Sequence, residues 1–181
     1  MALENDAACG GLSEALLGSG KGFKNVLYIT ISTGIGTSLI IDGQIFKGNR
    51  NLEGGHTTVD KDGPICSCGK PGHFESIASG KAIKRDFGKY AYEIKDKATW
   101  DKIANNMAIG VGNMMAIFSP DVVVLAGGVS VHWKHFSSPL IKHISDHYPF
   151  EIAPIKLGKY IETAPVMGAL LLASRAEQLL L

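Results

Sequence analysis

NVLYITISTGIGTSLIIDGQIF occupies residues 25–46, and its reading sets the fold class. Residues 25–32 are rich in β-branched and aromatic side chains and read as a strand. TGIGT, residues 33–37, interrupts the run with Gly34 and Gly36. SLIIDGQIF, residues 38–46, then folds back as a hairpin around Asp42-Gly43, a pair that tolerates the positive φ of a type I′ turn. A second apolar run, DVVVLAGG at 121–128, ends in paired glycines. It lacks polar alternation, which suits a strand buried on both faces with a helix or ligand at its carboxyl end.

Helical signals surround these strands. Asn5 or Asp6 can cap a helix that runs to about Leu17 and stops at Gly18, Gly20 and Gly22. Residues 99–118 carry Ile103, Met107, Val111, Met114 and Phe118 at spacings of four, four, three and four, the signature of one buried helical face. Gly110 and Gly112 weaken that helix intrinsically, so they are expected to admit another element at close range; Pro120 marks its end. Further helices are expected from about Glu75 to Phe87, over 133–147 and from Pro165 onward, with a short strand near 154–157. Residues 53–75 are rich in glycine and proline and read as a loop. Strands mixed with helices in one chain give an α/β fold, a mixed sheet flanked by helices.

The bulk composition narrows the function. The chain has 181 residues, 45% hydrophobic and 19% charged, with a formal net charge of +1 and no run of basic residues. That describes one domain with a real core, and it points away from a nucleic-acid or anionic membrane surface. No apolar run reaches the roughly 18–20 residues that span a bilayer, and the first residues lack the flanks of a secretory signal. Three cysteines, two crowded as Cys66-Ser67-Cys68, do not make a disulfide framework, and a reducing cytoplasm is expected.

Chemistry concentrates in EGGHTTVDKDGPICSCGKPGHFES, residues 53–76. His56, Cys66, Cys68 and His73 form H-x9-C-x-C-x4-H, four N/S donors suited to tetrahedral zinc; the alternative is a surface loop with free thiols. STGIGTS, residues 32–38, offers backbone N–H groups and the hydroxyls of Thr33 and Thr37 to phosphate oxygens, or is simply a glycine-kinked hairpin. It is not a P-loop, since no Lys-Ser/Thr follows the glycines. Gly127-Gly128 can admit an adenine or ribose, or turn the chain. Asp6 at a helix start is either a cap or a general base. His132, His135, His143 and His147 lie on or near one predicted helix; the 143/147 pair reads as a solvated face rather than a metal pair. Cys9 reads as a small packed residue, and Met107, Met114 and Met115 as core or dimer surface.

ENDA (residues 4–7), TGIGTS (33–38), EGGH (53–56), CSCGKPGHFES (66–76), LAGGVS (125–130) and APVMGALLLA (164–173), in this order, resemble the carboxy-terminal domain of the ROK family. That family groups sugar kinases with sugar-responsive repressors on the ribonuclease-H-like, actin-like ATPase fold. The resemblance covers nearly the whole chain, so residues 1–181 are expected to form one domain, the carboxy-terminal half of a two-domain protein. It implies that Asp6 is the base that takes the proton of the attacking sugar hydroxyl. It also implies that Asn5, Glu53, His56 and Glu75 bind the sugar, and that Thr33, Gly34, Gly36, Thr37, Gly127 and Gly128 serve ATP with Mg2+. Zinc, held by His56, Cys66, Cys68 and His73, would be structural. The family's usual third cysteine is His73 here, which gives a Cys2His2 set with one negative charge fewer.

The resemblance further implies an amino-terminal lobe with an Asp-x-Gly-x-Thr phosphate motif, a motif this sequence lacks. The expected partners are a small sugar, ATP, that lobe and a second copy of the chain as homodimer. No membrane contact and no nucleic-acid contact from this domain are expected. Two activities are compatible with the motifs. The first is an ATP-dependent, glucokinase- or hexokinase-like sugar kinase; the second is the effector-binding domain of a ROK-type repressor. Asp6 favours the kinase.

Overall fold

In a computed structural model, which describes residues 3–178, a five-stranded sheet lies between two layers of helices. The elements run α1 (Asp6–Leu17), β1 (Asn25–Ile31), β2 (Ile35–Ile41), β3 (Gln44–Ile45), α2 (Phe74–Ala78), α3 (Gly80–Phe87), α4 (Lys97–Phe118), β4 (Val122–Ala126), α5 (Trp133–His147), β5 (Ile155–Leu157) and α6 (Ala164–Gln178). The sheet order is β3-β2-β1-β4-β5. β1 pairs antiparallel with β2 and parallel with β4, and β4 pairs parallel with β5.

The two faces of β1 and β4 explain their unbroken apolar sequence. Leu27, Ile29, Ile31, Val123 and Leu125 point into a core built with α2 to α5. Val26, Tyr28, Val122, Val124 and Ala126 point to the opposite side, under α1 and α6. All five residues of β4 are buried. The Met107, Met114 and Met115 side chains are core, and so is Cys9.

Three local differences from the sequence reading have physical causes. First, β2 begins at Ile35, so Gly36 and Thr37 are strand residues and the turn between β1 and β2 is only 32–34. The turn at Asp42-Gly43 is as expected, with φ of 49° and 72° at the two residues. Second, the helix expected from Glu75 to Phe87 is broken in two at Ser79. Ser79 Oγ caps α3 by accepting from Ala82 N, and Gly80 N donates to Ser32 O at 2.7 Å. A Cβ at Gly80 would stand 2.7 Å from the same oxygen, so the break lets the chain touch the β1–β2 turn. Third, the α5 histidines are not merely solvated. His143 Nε2 lies 3.0 Å from Asp101 Oδ1 and His147 Nε2 lies 3.4 Å from Asn105 Oδ1, tying α5 to α4. Among the described residues, no metal-binding group includes them.

Gly110 and Gly112 behave as expected. A Cβ on Gly110 would meet the Phe74 ring at 2.3 Å, and one on Gly112 the Tyr148 ring at 2.1 Å. The long helix α4 therefore accepts two aromatic rings against its backbone. Among the described residues, no helix is long and apolar enough to cross a membrane.

Candidate active site and metal centre

A cleft of about 680 Å³ opens outside the carboxyl ends of β1 and β4. Two turns form its floor, Ser32–Gly34 after β1 and Gly127-Gly128 after β4. Gly127 has φ 87°, and a Cβ there would come within 2.5 Å of Ile31 O, so only glycine lets the chain turn this close to β1. The amino end of α1 supplies Asn5 and Asp6 to one wall; Glu53, His56 and Glu75 line another. Thr30 and Glu162 also line it. Sequence reasoning did not single these out: Thr30 is an ordinary strand residue, and Glu162 reaches the cleft only because α6 packs back onto α1.

The Asn5/Asp6 choice resolves by geometry. Asn5 is the N-cap: its Oδ1 accepts from Ala7 N at 2.9 Å and Ala8 N at 3.2 Å. Its amide NH2 therefore remains free to donate into the cleft. Asp6 is the first helical residue and exposed. One of its oxygens accepts from Ala7 N at 2.7 Å, and the other has no partner among the described residues. Ser38 Oγ donates to Ala7 O at 2.9 Å, and Gly36 leaves room for the Ala7 methyl, so this first turn is fixed on β2.

Glu75 is held at both oxygens. Oε2 accepts from Ile35 N at 3.1 Å, and Oε1 accepts from Ser67 Oγ at 2.8 Å. Partial burial works against its ionisation, but these bonds, the Cys66 thiol and nearby His56 outweigh it and hold the carboxyl below the usual glutamate range. Gly34 makes this possible, since a Cβ there would lie 2.5 Å from Oε2. Both glycines of the TGIGT motif thus admit neighbouring elements: Gly34 admits Glu75, and Gly36 admits α1. Thr37 is the one expected nucleotide-binding residue that stands outside the cleft lining. It is buried, and its hydroxyl donates to Leu52 O and accepts from Gly54 N, anchoring the chain ahead of His56.

The metal-type side chains come together. His56, Cys66, Cys68 and His73 place one donor atom each within 4.8 Å of one another. His56 Nδ1 is 3.6 Å from Cys66 Sγ, and His73 Nδ1 is 3.2 Å from Cys68 Sγ. Two imidazole nitrogens and two thiols at this spacing fit a tetrahedral zinc ion, and they could hold one. The other His56 nitrogen, Nε2, lies on the cleft side, 4.0 Å from Glu53 Oε2. The loop around them is more ordered than its composition suggests. Thr58 bridges His73, Ile65 bridges Pro71, and Cys66 N donates to Lys70 O while Gly69 N donates to Cys66 O.

A second pocket, about 400 Å³, shares Ser32, Thr33 and Gly128 with the cleft. Lys81, Lys84, Tyr90, Tyr92 and His132 line it. Tyr90 and Tyr92 stack with centroids 5.5 Å apart, and Lys84 Nζ sits 4.1 Å over the Tyr90 ring. Burial, with His135, Lys95 and Lys134 nearby, holds His132 below the usual imidazole range.

Comparison with known proteins agrees with this layout. The sequence model described as ROK family matches residues 1–176. The chain is 30% identical over 188 residues to the xylose repressor of Bacillus spizizenii, covering 92% of this chain and 48% of that protein. It is 29% identical over 205 residues to the glucokinase of Thermotoga maritima, covering 92% of this chain and 63% of that one. The crystal structure of a ROK hexokinase from Thermus thermophilus superposes with a TM-score of 0.79 at 30% identity, over 92% of this chain and 62% of that chain. The chain thus spans from about half to just under two thirds of the length of these proteins.

Proposed function

This chain belongs to the ROK family, with the actin-like ATPase fold of that family, and from that premise we propose that it is the carboxy-terminal lobe of an ATP-dependent hexose kinase. The observation that carries this reading is the division of labour at the start of α1. Asn5 satisfies the helix end, and this leaves one Asp6 oxygen free on the cleft opposite Glu53, His56 and Glu75.

In this reading Asp6 accepts the proton of the attacking sugar hydroxyl. The Asn5 amide donates to a hydroxyl, and Glu53 and Glu75 accept from others. The nucleotide lies across the shared wall of the two pockets. Its phosphates face Thr33, Gly34 and Gly127-Gly128, and its base reaches the Tyr90 side of the smaller pocket. Magnesium accompanies the phosphates, since the cleft lining includes four carboxylates and no lysine or arginine. Positioning and charge stabilisation then supply most of the rate. Zinc is structural: bound at His56 Nδ1, it would fix the ring and leave Nε2–H to donate to a sugar hydroxyl. The reading includes an amino-terminal lobe that closes over the sugar, in keeping with relatives about one and a half to two times this length.

A phosphorylation assay with MgATP and a panel of hexoses, on the protein joined to that lobe, tests the proposal. Asp6→Asn is expected to lower turnover by at least about 10²-fold, the scale of general-base catalysis, with sugar affinity held within about threefold. Unchanged turnover rejects Asp6 as the base. The 181-residue chain alone is expected to bind sugar and turn over feebly; robust turnover by it overturns the two-lobe arrangement.

A second reading, the effector-binding domain of a sugar-responsive repressor, is favoured by one observation, the likeness to a repressor over nearly the whole chain. Under it the joined protein binds sugar, transfers no phosphoryl group, and releases operator DNA when sugar is added.

A further inference from the structure

Among the described carboxylates of the cleft, Glu75 alone has both oxygens held by protein donors: Ile35 N on Oε2 and Ser67 Oγ on Oε1. Each carboxylate oxygen offers two lone-pair directions; Oε1 also receives a long contact from Cys66 Sγ at 3.6 Å, weaker than the 2.8 Å bond from Ser67, so one direction on each oxygen stays open to a stronger donor. A carboxylate clamped at two points cannot rotate. Its two remaining acceptor directions are fixed in one plane, the arrangement that receives two hydroxyls on adjacent carbons. A freely turning carboxylate would accept the same hydroxyls after losing rotamer freedom, at lower affinity.

The two clamps differ in origin. The Ile35 bond is backbone and depends on Gly34 having no side chain. The Ser67 bond is a side-chain choice, made by the residue between the two loop thiols. Ser67 itself is exposed, and an isolated surface hydrogen bond contributes little. Here, however, the flanking backbone is fixed. Cys66 N donates to Lys70 O at 2.8 Å, Gly69 N to Cys66 O at 2.9 Å, and Cys66 and Cys68 both belong to the four-residue donor cluster. The Ser67 hydroxyl is therefore presented by a rigid turn, and it lies 3.8 Å from Cys66 Sγ, well beyond its distance to Glu75.

We propose that Ser67 is a positioning residue of the sugar site: its hydroxyl, presented by the metal-type loop, locks the Glu75 carboxylate so that it reads a vicinal diol of the sugar. This rests on the reading that Glu75 binds the sugar. It assigns the loop a second task, aiming a specificity group that stands beside the cluster, with Cys66 Sγ 3.6 Å from the same Oε1.

The test is isothermal titration of the 181-residue chain with glucose, mannose, fructose, xylose and N-acetylmannosamine, followed with the tightest binder. Ser67→Ala is expected to weaken binding about tenfold, and Ser67→Thr, which keeps the hydroxyl, to restore it to within about threefold. Zinc content and melting temperature should match the unaltered chain in both. In a Glu75→Gln background, Ser67→Ala should have no further effect. If Glu75→Gln loses sugar and Ser67→Ala does not, the Ser67 role is overturned and the sugar reading stands. Loss of zinc from Ser67→Ala overturns it as well, since the defect is then in the loop. If Glu75→Gln binds normally, or no sugar binds the unaltered chain, the reading falls and this proposal with it.

Discussion

At the scale of single residues, two buried polar groups carry more than their composition suggests. Glu14 is fully buried in α1. Its Oε2 accepts from Ser19 N at 2.8 Å, and its Oε1 accepts from Tyr160 N at 2.6 Å. The carboxylate thus joins the end of α1 to the segment that leads into α6 and Glu162. Gly18 permits this, since a Cβ there would lie 2.0 Å from Oε2. Glu14→Ala leaves two N–H groups without partners and is expected to cost about 2–4 kcal/mol, measured as the shift in urea unfolding. Tyr28 provides a pH signature. Burial pushes its hydroxyl up to about 12. The unfolded phenol ionises near pH 10. Below about pH 10 both states are protonated and the full stability is present. As pH rises from about 10 to 12 only the unfolded state loses the proton, so folding weakens by up to about 1.4 kcal/mol per pH unit. Tyr28→Phe removes this contribution, and its unfolding midpoint should fall less steeply than that of the unaltered chain between about pH 9.5 and 11. Parallel profiles would count against a buried, protonated Tyr28.

At the scale of elements, close approach overrides helix propensity. α1 carries Gly10 and Gly11 in its interior, poor helix formers that each cost up to about 1 kcal/mol against alanine. Both are buried where a side chain would strike the sheet: a Cβ at Gly10 would meet Tyr28 Oη at 2.7 Å, and one at Gly11 would meet Ser38 Oγ at 2.1 Å. On the other side, Gly168 of α6 brings the two helices together, with a Cβ there only 1.9 Å from Cys9 O. α4 makes the same exchange at Gly110. Gly110→Ala gains about 1 kcal/mol in propensity but drives a methyl into the Phe74 ring, which is fully buried and has nowhere to go. Overpacking of about 1–3 kcal/mol or more wins, so net destabilisation is expected. Because Phe74 precedes Glu75, sugar affinity should fall with it; thermal melting and sugar titration on one sample check both.

At the scale of the whole molecule, the cleft depends on several elements converging at one end of the sheet. α1 brings Asn5 and Asp6, the Gly54–His56 turn brings His56, α2 brings Glu75, and the segment before α6 brings Glu162. The loop between His56 and Phe74 is the least supported part of this assembly. Its contacts are two isolated bridges, a few backbone bonds, the Ser67–Glu75 and Ser76–Pro64 hydrogen bonds and the donor cluster. Removing a structural metal there is therefore expected to loosen residues 57–73 while the sheet survives. For a domain of this size, each 1 kcal/mol moves the midpoint by roughly 2–4 °C, so chelation should lower it by about 5 °C or more. His73→Ala should begin at that lower midpoint and not respond to chelator. A chelator effect of equal size in His73→Ala and the unaltered chain would remove His73 from the ligand set.

Much of this was legible in the linear sequence. β-branched runs, the Asp42-Gly43 turn and the spacing of Ile103, Met107, Val111 and Met114 set the elements, because strand and helix periodicities are local properties of the chain. The four metal-type residues were legible too, since their spacing is short and their chemistry distinctive. What the sequence left open was the division of roles among neighbours. Asn5 and Asp6 are both capping residues by type, and only the direction of each side chain separates cap from free carboxylate. Gly34 and Gly36 read as a phosphate cradle, yet both are also the space occupied by Glu75 and Ala7. Thr37 reads as a nucleotide ligand, and in the fold its hydroxyl lies between Leu52 O and Gly54 N. These outcomes depend on contacts between residues up to about 40 positions apart, and such contacts exist only once the sheet has brought the segments together.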